Sequence, residues 1–213
     1  MKILVIAAHP DDETLGMGGT IKKLSKQNEV RLCVITDGAS AQYADKSMIQ
    51  VRKDACVKAL KILGVTKIYF LDLPDMRLDS IPHIEINIKL EKVINDFKPD
   101  TVYTTPHNDL NRDHLEVFES TLIAARPHSS SVKNIFSYEL PGVKKTSFCP
   151  NHYENIRREL RYKIKAFKCY KSEIENFPHP RSTKAIENLS ILRGVESSMK
   201  NAEAFCIIRS INE

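Results

Sequence analysis

Residues 7–20 read AAHPDDETLGMGGT, which sets an imidazole and three consecutive carboxylates directly behind the apolar run of residues 3–8. Adjacent acids repel one another, and the end of a buried strand is a costly place for charge. A helix N-terminus, a cation, or both can compensate them. As a helix cap, acidic side chains satisfy orphan N–H groups and meet the positive end of the helix dipole. One acid suffices for that, and a cap explains neither His9 at the strand end nor the pair Asp11-Asp12. Gly16-Met17-Gly18-Gly19 is no phosphate loop, because its spacing fits neither G-x-G-x-x-G nor the Walker pattern and the acids before it repel phosphate. A divalent cation answers better. His9 and Asp12, either side of the rigid Pro10, offer one nitrogen and one oxygen from a sharp strand-to-helix turn, and Asp11 stays unligated beside them. A catalytic zinc takes three protein ligands and an open position, so a third ligand comes from elsewhere.

The segment Pro106-His107-Asn108-Asp109-Leu110-Asn111-Arg112-Asp113-His114 supplies it. A lone loop histidine is ordinarily a surface residue, but two histidines and two aspartates lie within these few positions. His114, at the entrance of a helix, is the expected third ligand, and Asp113 either orients a ligand or caps that helix. Such a His2Asp set suits Zn2+ and also accepts Fe2+ or Co2+.

The elements that must bring these clusters together follow from periodicity. Apolar runs at 3–8, 30–35, 67–73 and 101–105 read as strands. Helices are expected from soon after the acids through 20–27, and at 47–63, 84–97 and 115–125. In the second, Val51, Ala55, Ala59, Leu60 and Leu63 form one apolar stripe, and Gly64 stands where a C-terminal cap belongs. Alternating strand and helix gives βαβ crossovers. The expected fold is an α/β, Rossmann-like three-layer sandwich: a mostly parallel sheet, helices on both faces, and the site at the carboxyl ends of the strands. His9 and His107 both follow strands directly, so the two clusters should meet on one edge. Further on, a strand is expected at 134–140, a charged helix at 155–175, a break at Phe177-Pro178-His179-Pro180, a helix at 185–192 and a strand at 204–208. With no repeat and no linker, residues 1–213 read as one domain. Its core is 1–130, and 131–213 complete the site.

Composition narrows the function. Among 213 residues, 42% are hydrophobic and 28% charged, which suits a packed globular core. The net charge of +5 comes from scattered basic residues with no aromatic interleaving, which argues against nucleic acid and leaves room for an anionic small molecule. Five cysteines with no CxxC spacing argue against a disulfide framework or a cysteine zinc site. The first apolar run is too short for a secretory signal, and no stretch reaches the roughly 18 apolar residues of a membrane span. A cytoplasmic protein without stable membrane insertion is expected.

His-Pro-Asp-Asp-Glu ahead of a Gly-Gly helix, with an acidic-histidine motif downstream, resembles the signature of the LmbE-like (PIG-L) N-acetylglucosaminyl deacetylases. Asp37-Gly38, then Arg52 with Ala55, Ala59 and Leu63-Gly64-Val65, then Phe70-Leu71-Asp72-Leu73-Pro74-Asp75 agree in order. The tail FPHPRS…LRG…AEAF, within 177–205, is similar to the subset found with bacterial glycan biosynthesis. The resemblance implies zinc on His9, Asp12 and His114, Asp11 as general base, and Arg52 holding substrate. The implied reaction removes acetyl from an N-acetylated amino sugar that is nucleotide-, lipid- or otherwise linked. Many members carry His-Pro-Asp-His where this chain has Asn111-Arg112-Asp113-His114. The donor that steadies the oxyanion or protonates the amine is then His107, His179 or Asn111. Arg52 and Arg181 suggest an acidic substrate portion, and relatives often assemble as homo-oligomers. A non-catalytic sugar-binding relative is the rival reading, although binding alone needs no unligated Asp11. A glycosidase built on Asp11 and Asp109 leaves His9 and His114 without a role, and no G-x-S-x-G elbow supports a serine hydrolase.

Overall fold

In a computed structural model, which describes residues 1–212, the four strands expected to be parallel are parallel, and the further strand expected at 134–140 joins them in the same direction. β1 (Lys2–Ala7), β2 (Glu29–Thr36), β3 (Lys67–Leu73), β4 (Thr101–Thr104) and β5 (Asn134–Tyr138) are joined by α1 (Asp12–Leu24), α2 (Ser47–Leu63), α3 (His83–Phe97) and α4 (Arg112–Ala124). The sheet continues through β7 (Ala202–Arg209), antiparallel to β5, to the edge strand β6 (His152–Asn155), antiparallel to β7. Its order is β3-β2-β1-β4-β5-β7-β6. Helices α5 (Leu160–Phe167) and α6 (Thr183–Glu196) lie between β6 and β7 in the chain.

β1 is the middle of the design. Its side chains alternate faces, as a strand requires. Ile3, Val5 and Ala7 enter one apolar core with residues of α1, α2 and α5, while Leu4 and Ile6 enter another with residues of α3 and α4. That alternation is the three-layer sandwich. It also explains why the run is apolar throughout, since a strand covered on both faces has no polar side. From β1 the chain first winds outward to β2 and β3, then returns to lay β4 on the opposite side. The strand order reverses between β1 and β4, and open α/β sheets bind ligands at such a point. The loop carrying His9 and the start of α4 carrying His114 both lie there.

Two expectations from the sequence are corrected. The helix at 155–175 is α5 alone, because Asn155 ends β6 and residues 171–173 form a separate 3₁₀ turn. The strand β6, of sequence HYEN, was not anticipated. Among the described residues no helix is long and apolar enough to cross a membrane, and all five cysteines are free thiols.

The Gly16–Gly19 run has a packing role. α1 kinks at Met17, which has φ −142° and ψ 26°. The kink leaves the N–H groups of Gly19 and Thr20 to donate to the Glu203 carboxylate on β7, at 2.9 and 2.6 Å. Lys163 of α5 donates to the same carboxylate at 2.6 Å, and all of these groups are buried. A Cβ on Gly19 would stand 2.8 Å from Ile156, and one on Gly16 2.4 Å from the Tyr138 ring. Breaking a buried pair from one side strands a charge, at about 3–5 kcal/mol. Glu203→Ala is therefore expected to lower unfolding stability by about that amount, read as a shift of the urea midpoint at unchanged slope.

Candidate metal centre

Backbone strain places the first cluster. Asp11 has φ 138° and ψ −27°, a region L-residues rarely adopt. Such a conformation costs on the order of 1–3 kcal/mol and persists only where the surroundings enforce it. Here the His9 N–H donates to Asp12 Oδ2 at 2.8 Å, the Asp11 N–H to Glu13 Oε2 at 3.1 Å, and Arg52 Nη2 to the Pro10 carbonyl at 2.8 Å. Gly38, with φ 65°, lies against Pro10, where a Cβ would come within 2.3 Å of the ring. Asp11 occupies the N-cap position of α1 but makes no side-chain cap. Its carboxylate is free for other work.

The strained turn directs Asp12 and Asp11 to different partners. Asp12 faces two imidazoles: Oδ2 lies 3.3 Å from His9 Nδ1, and Oδ1 lies 3.4 Å from His114 Nε2. The two ring nitrogens are themselves 3.3 Å apart. For an ion held tetrahedrally at about 2.0–2.1 Å, neighbouring donors stand roughly 3.3–3.4 Å apart. The two imidazole nitrogens already stand at that spacing, with one Asp12 oxygen near each of them and ligand atoms of all three side chains within 4.8 Å of one another, so a His2Asp cation fits here.

Outer carboxylates fix both rings. His9 Nε2 is hydrogen-bonded to Asp113 Oδ2 at 3.1 Å and lies 3.3 Å from Asp75 Oδ1. Asp113 is in turn held by the N–H groups of Met76 and Leu78, at 2.7 and 3.0 Å. His114 Nδ1 lies 3.1 Å from Asp109 Oδ2. Carboxylates behind metal-ligating histidines set the tautomer and raise ligand basicity. Burial alone lowers the pKa of both imidazoles. For His9 the hydrogen bonds to Asp113 and Asp12 overcome it and carry the group up to about 10; for His114, Asp12 and Asp109 carry it up to about 9. Burial opposes ionisation of Asp12 as well, yet His114 and His9 hold it well below the usual carboxylate range.

Asp11 turns the other way. It is 0% exposed, and neither oxygen accepts a hydrogen bond from the described residues. Arg52 Nη2 and Arg181 Nη2 face its two oxygens at 3.6 and 3.7 Å. Burial raises it to about 6 against the pull of both arginines. Glu13 beneath it, also enclosed, rises to about 7 for the same reason.

The other expected residues fall in three places. Arg52 is 2% exposed and lies under the turn, bonded to Pro10 and paired with Glu173 rather than open to the cleft. The Arg181 side chain, 32% exposed, lies over Asp11. Asn111 caps α4, its side chain accepting from the Asp113 N–H at 2.9 Å. Asp113 therefore backs His9 and does not cap the helix. His107 is exposed and rests on Phe118, with ring centroids 5.5 Å apart. His179 is exposed, its Nδ1 accepting from the Arg181 N–H at 3.1 Å. Neither ring is joined to the triangle. Asp109, weighed only as a glycosidase acid, is committed to His114. Asp75 was overlooked as a site residue, although it follows β3 as closely as the other clusters follow their strands. Glu173 carried no signal.

Comparison with known proteins gives the family and the fold. Residues 4–125 match the family described as PIG-L, GlcNAc-PI de-N-acetylase. The uncharacterized deacetylase YaiS of Escherichia coli K12 is 32% identical over 177 residues, covering 80% of this chain and 90% of that protein. The N,N'-diacetylchitobiose deacetylase of Pyrococcus horikoshii superposes with a TM-score of 0.81 at 26% identity, over 98% of this chain and 84% of that one. GalB of Pseudomonas putida KT2440, a 4-carboxy-2-hydroxymuconate hydratase, shares the fold at a TM-score of 0.82 and 18% identity, over 100% and 98% of the two chains. The chain belongs to the PIG-L (LmbE-like) family.

Cation binding must displace the protons that His9 and His114 hold at neutral pH. Calorimetric titration of the chelator-treated protein with Zn2+ at pH 7 is expected to release protons, seen as an enthalpy that depends on the buffer, and affinity should rise from pH 7 to 9. Asp113→Asn is expected to weaken binding about 10–100-fold in a chelator competition.

Proposed function

We propose that this protein is a metal-dependent N-deacetylase that hydrolyses the acetamide of an N-acetylated amino sugar of the N-acetylglucosamine type. The observation that carries the reading is Asp11: a buried carboxylate faced by two arginines, with neither oxygen hydrogen-bonded among the described residues, next to a His2Asp triangle. A divalent cation held by His9, Asp12 and His114, with Zn2+ first and Fe2+ or Co2+ as alternatives, supplies Lewis acidity toward water and an amide carbonyl.

The chain's own residues do the rest. Asp11 takes the proton of the attacking water, and a carboxyl raised to about 6 can pass it on to the departing nitrogen near neutrality. Hydroxyl joins the carbonyl carbon, the C–N bond breaks, and acetate and a free amine leave. Arg52 holds the turn that aims Asp11. Arg181, over Asp11 and partly exposed, binds an acidic portion of the substrate such as a phosphate. Of His107, His179 and Asn111, only His179 is joined to a residue that faces Asp11, so His179 is assigned to the carbonyl oxygen or the amine. His107, against Phe118, and Asn111, at the cap of α4, are assigned to contact substrate from the α4 side. Residues 1–213 act as one domain in this reading, because the segment after 130 supplies Arg181 and its partners. The cellular setting we infer is cytoplasmic glycan or glycoconjugate biosynthesis, with a homo-oligomer as the working assembly. A sugar-binding relative without turnover remains the rival, and the free Asp11 oxygens count against it.

The test is free-amine and acetate release by metal-loaded protein from N-acetylglucosamine, N,N'-diacetylchitobiose and a nucleotide-linked N-acetylhexosamine. At least one should be deacetylated. Asp11→Asn should keep its metal and lose about 10²–10⁴-fold in turnover. A variant within a few fold of wild type overturns the base assignment, and a loaded protein inert on the whole panel overturns the activity.

A further inference from the structure

A carboxylate far from the motifs organises both arginines at Asp11. Glu173 ends the 3₁₀ turn after α5 and is 3% exposed. One of its oxygens, Oε1, pairs with Arg52 Nη1 and lies 3.3 Å from the Tyr43 hydroxyl; the other, Oε2, takes Arg181 Nη1 at 2.5 Å. The remaining Nη2 of each guanidinium is the atom that faces Asp11. Two cations converging on one aspartate repel each other. A second carboxylate between them offsets that repulsion and fixes where each fork points. Arg52 depends on it most: among the described residues its Nε has no hydrogen-bond partner, and apart from Glu173 it hydrogen-bonds the Pro10 carbonyl and faces Asp11.

The same short segment grips the turn a second time. The Glu173 N–H donates to the Tyr170 carbonyl at 2.9 Å, and the Tyr170 hydroxyl donates to Glu13 Oε1 at 2.6 Å. Glu13 Oε2 accepts the Asp11 N–H. Residues 170–173 therefore hold the backbone of Asp11 through Glu13 and its side-chain surroundings through the two arginines. The gripping segment 170–173 and Arg181 lie beyond residues 4–125, which match the family.

We propose that Glu173 is a positioning residue: it divides its carboxylate between Arg52 and Arg181 and so holds both guanidiniums against Asp11. The proposal rests on the deacetylase reading for its kinetic consequence, but the grip itself can be measured without turnover. In metal-loaded protein, Glu173→Gln is expected to raise hydrogen exchange in peptides covering 8–16 and leave peptides of β2 and β5 unchanged. A uniform rise across the sheet would mean general loosening and overturn the proposal. In kinetics, Glu173→Gln should lower kcat about 10–100-fold with a smaller change in KM, and Glu173→Asp should recover part of the loss. Combined with Arg181→Met, its effect should fall short of the product of the two single losses by about tenfold, because the two residues act as a unit. Losses that multiply freely overturn the proposal. Should Glu173→Gln fail to fold, Glu173→Asp, which keeps the charge and shortens the reach, takes its place in both measurements. If wild type deacetylates nothing while exchange at 8–16 responds as described, the activity reading fails and the grip stands.

Discussion

Two neighbouring carboxylates that must not face each other are the constraint on which the site depends. In a low-dielectric interior the repulsion between Asp11 and Asp12 is several times that in water. The backbone resolves it by rotating Asp11 to φ 138°. Asp12 is thereby committed to His9 and His114, and Asp11 to the space between Arg52 and Arg181. One acid is a carboxylate between two imidazoles, held well below its ordinary pKa, and the other a carboxyl raised to about 6. Two chemical roles come from two identical side chains because their partners differ. The strain persists because backbone bonds from His9 and Asp11, the Pro10–Arg52 bond and the contact with Gly38 all fix the same turn.

The C-terminal segment is the second support. Glu203 and Lys163 satisfy the kinked middle of α1, and Tyr170 and Glu173 hold its beginning. The helix that carries Asp12 is thus buttressed from β7 and α5, elements outside the family match. A shared fold at a TM-score of 0.82 with a hydratase makes the same point from outside. Sandwich and strand order provide a ligand-binding edge, and the chemistry resides in the side chains placed on it.

Much of the fold was legible because local patterns and tertiary environment agreed. The uniformly apolar first run could only be a strand covered on both faces, and Gly64 could be read as a cap because it stands at φ 92°, where other residues are strained. Legibility failed where an apolar residue served a different element. Ile156, Leu160, Ile164 and Phe167 keep helical spacing, but Ile156 lies outside α5 and packs against Gly19 of α1. β6 has no apolar alternation, being a short edge strand whose existence depends on β7 beside it. Residues whose partners lie in distant elements kept two readings for the same reason. Asp113 could orient a ligand or cap α4; it reaches across to His9, while Asn111 two residues before it takes the cap.

The sequence by itself determined the sandwich, the edge on which the site lies, and the identity of His9, Asp12 and His114 as a converging set. Those follow from periodicity and from the compensation that charge at a strand end demands, both of which are local. Tertiary structure alone decided which carboxylate stands behind which imidazole, that Arg52 is buried beneath the turn while Arg181 lies over it, and that Glu173 links the two. Charge pairs form wherever folding brings opposite ends of side chains within a few ångströms, and spacing along the chain carries no record of that distance.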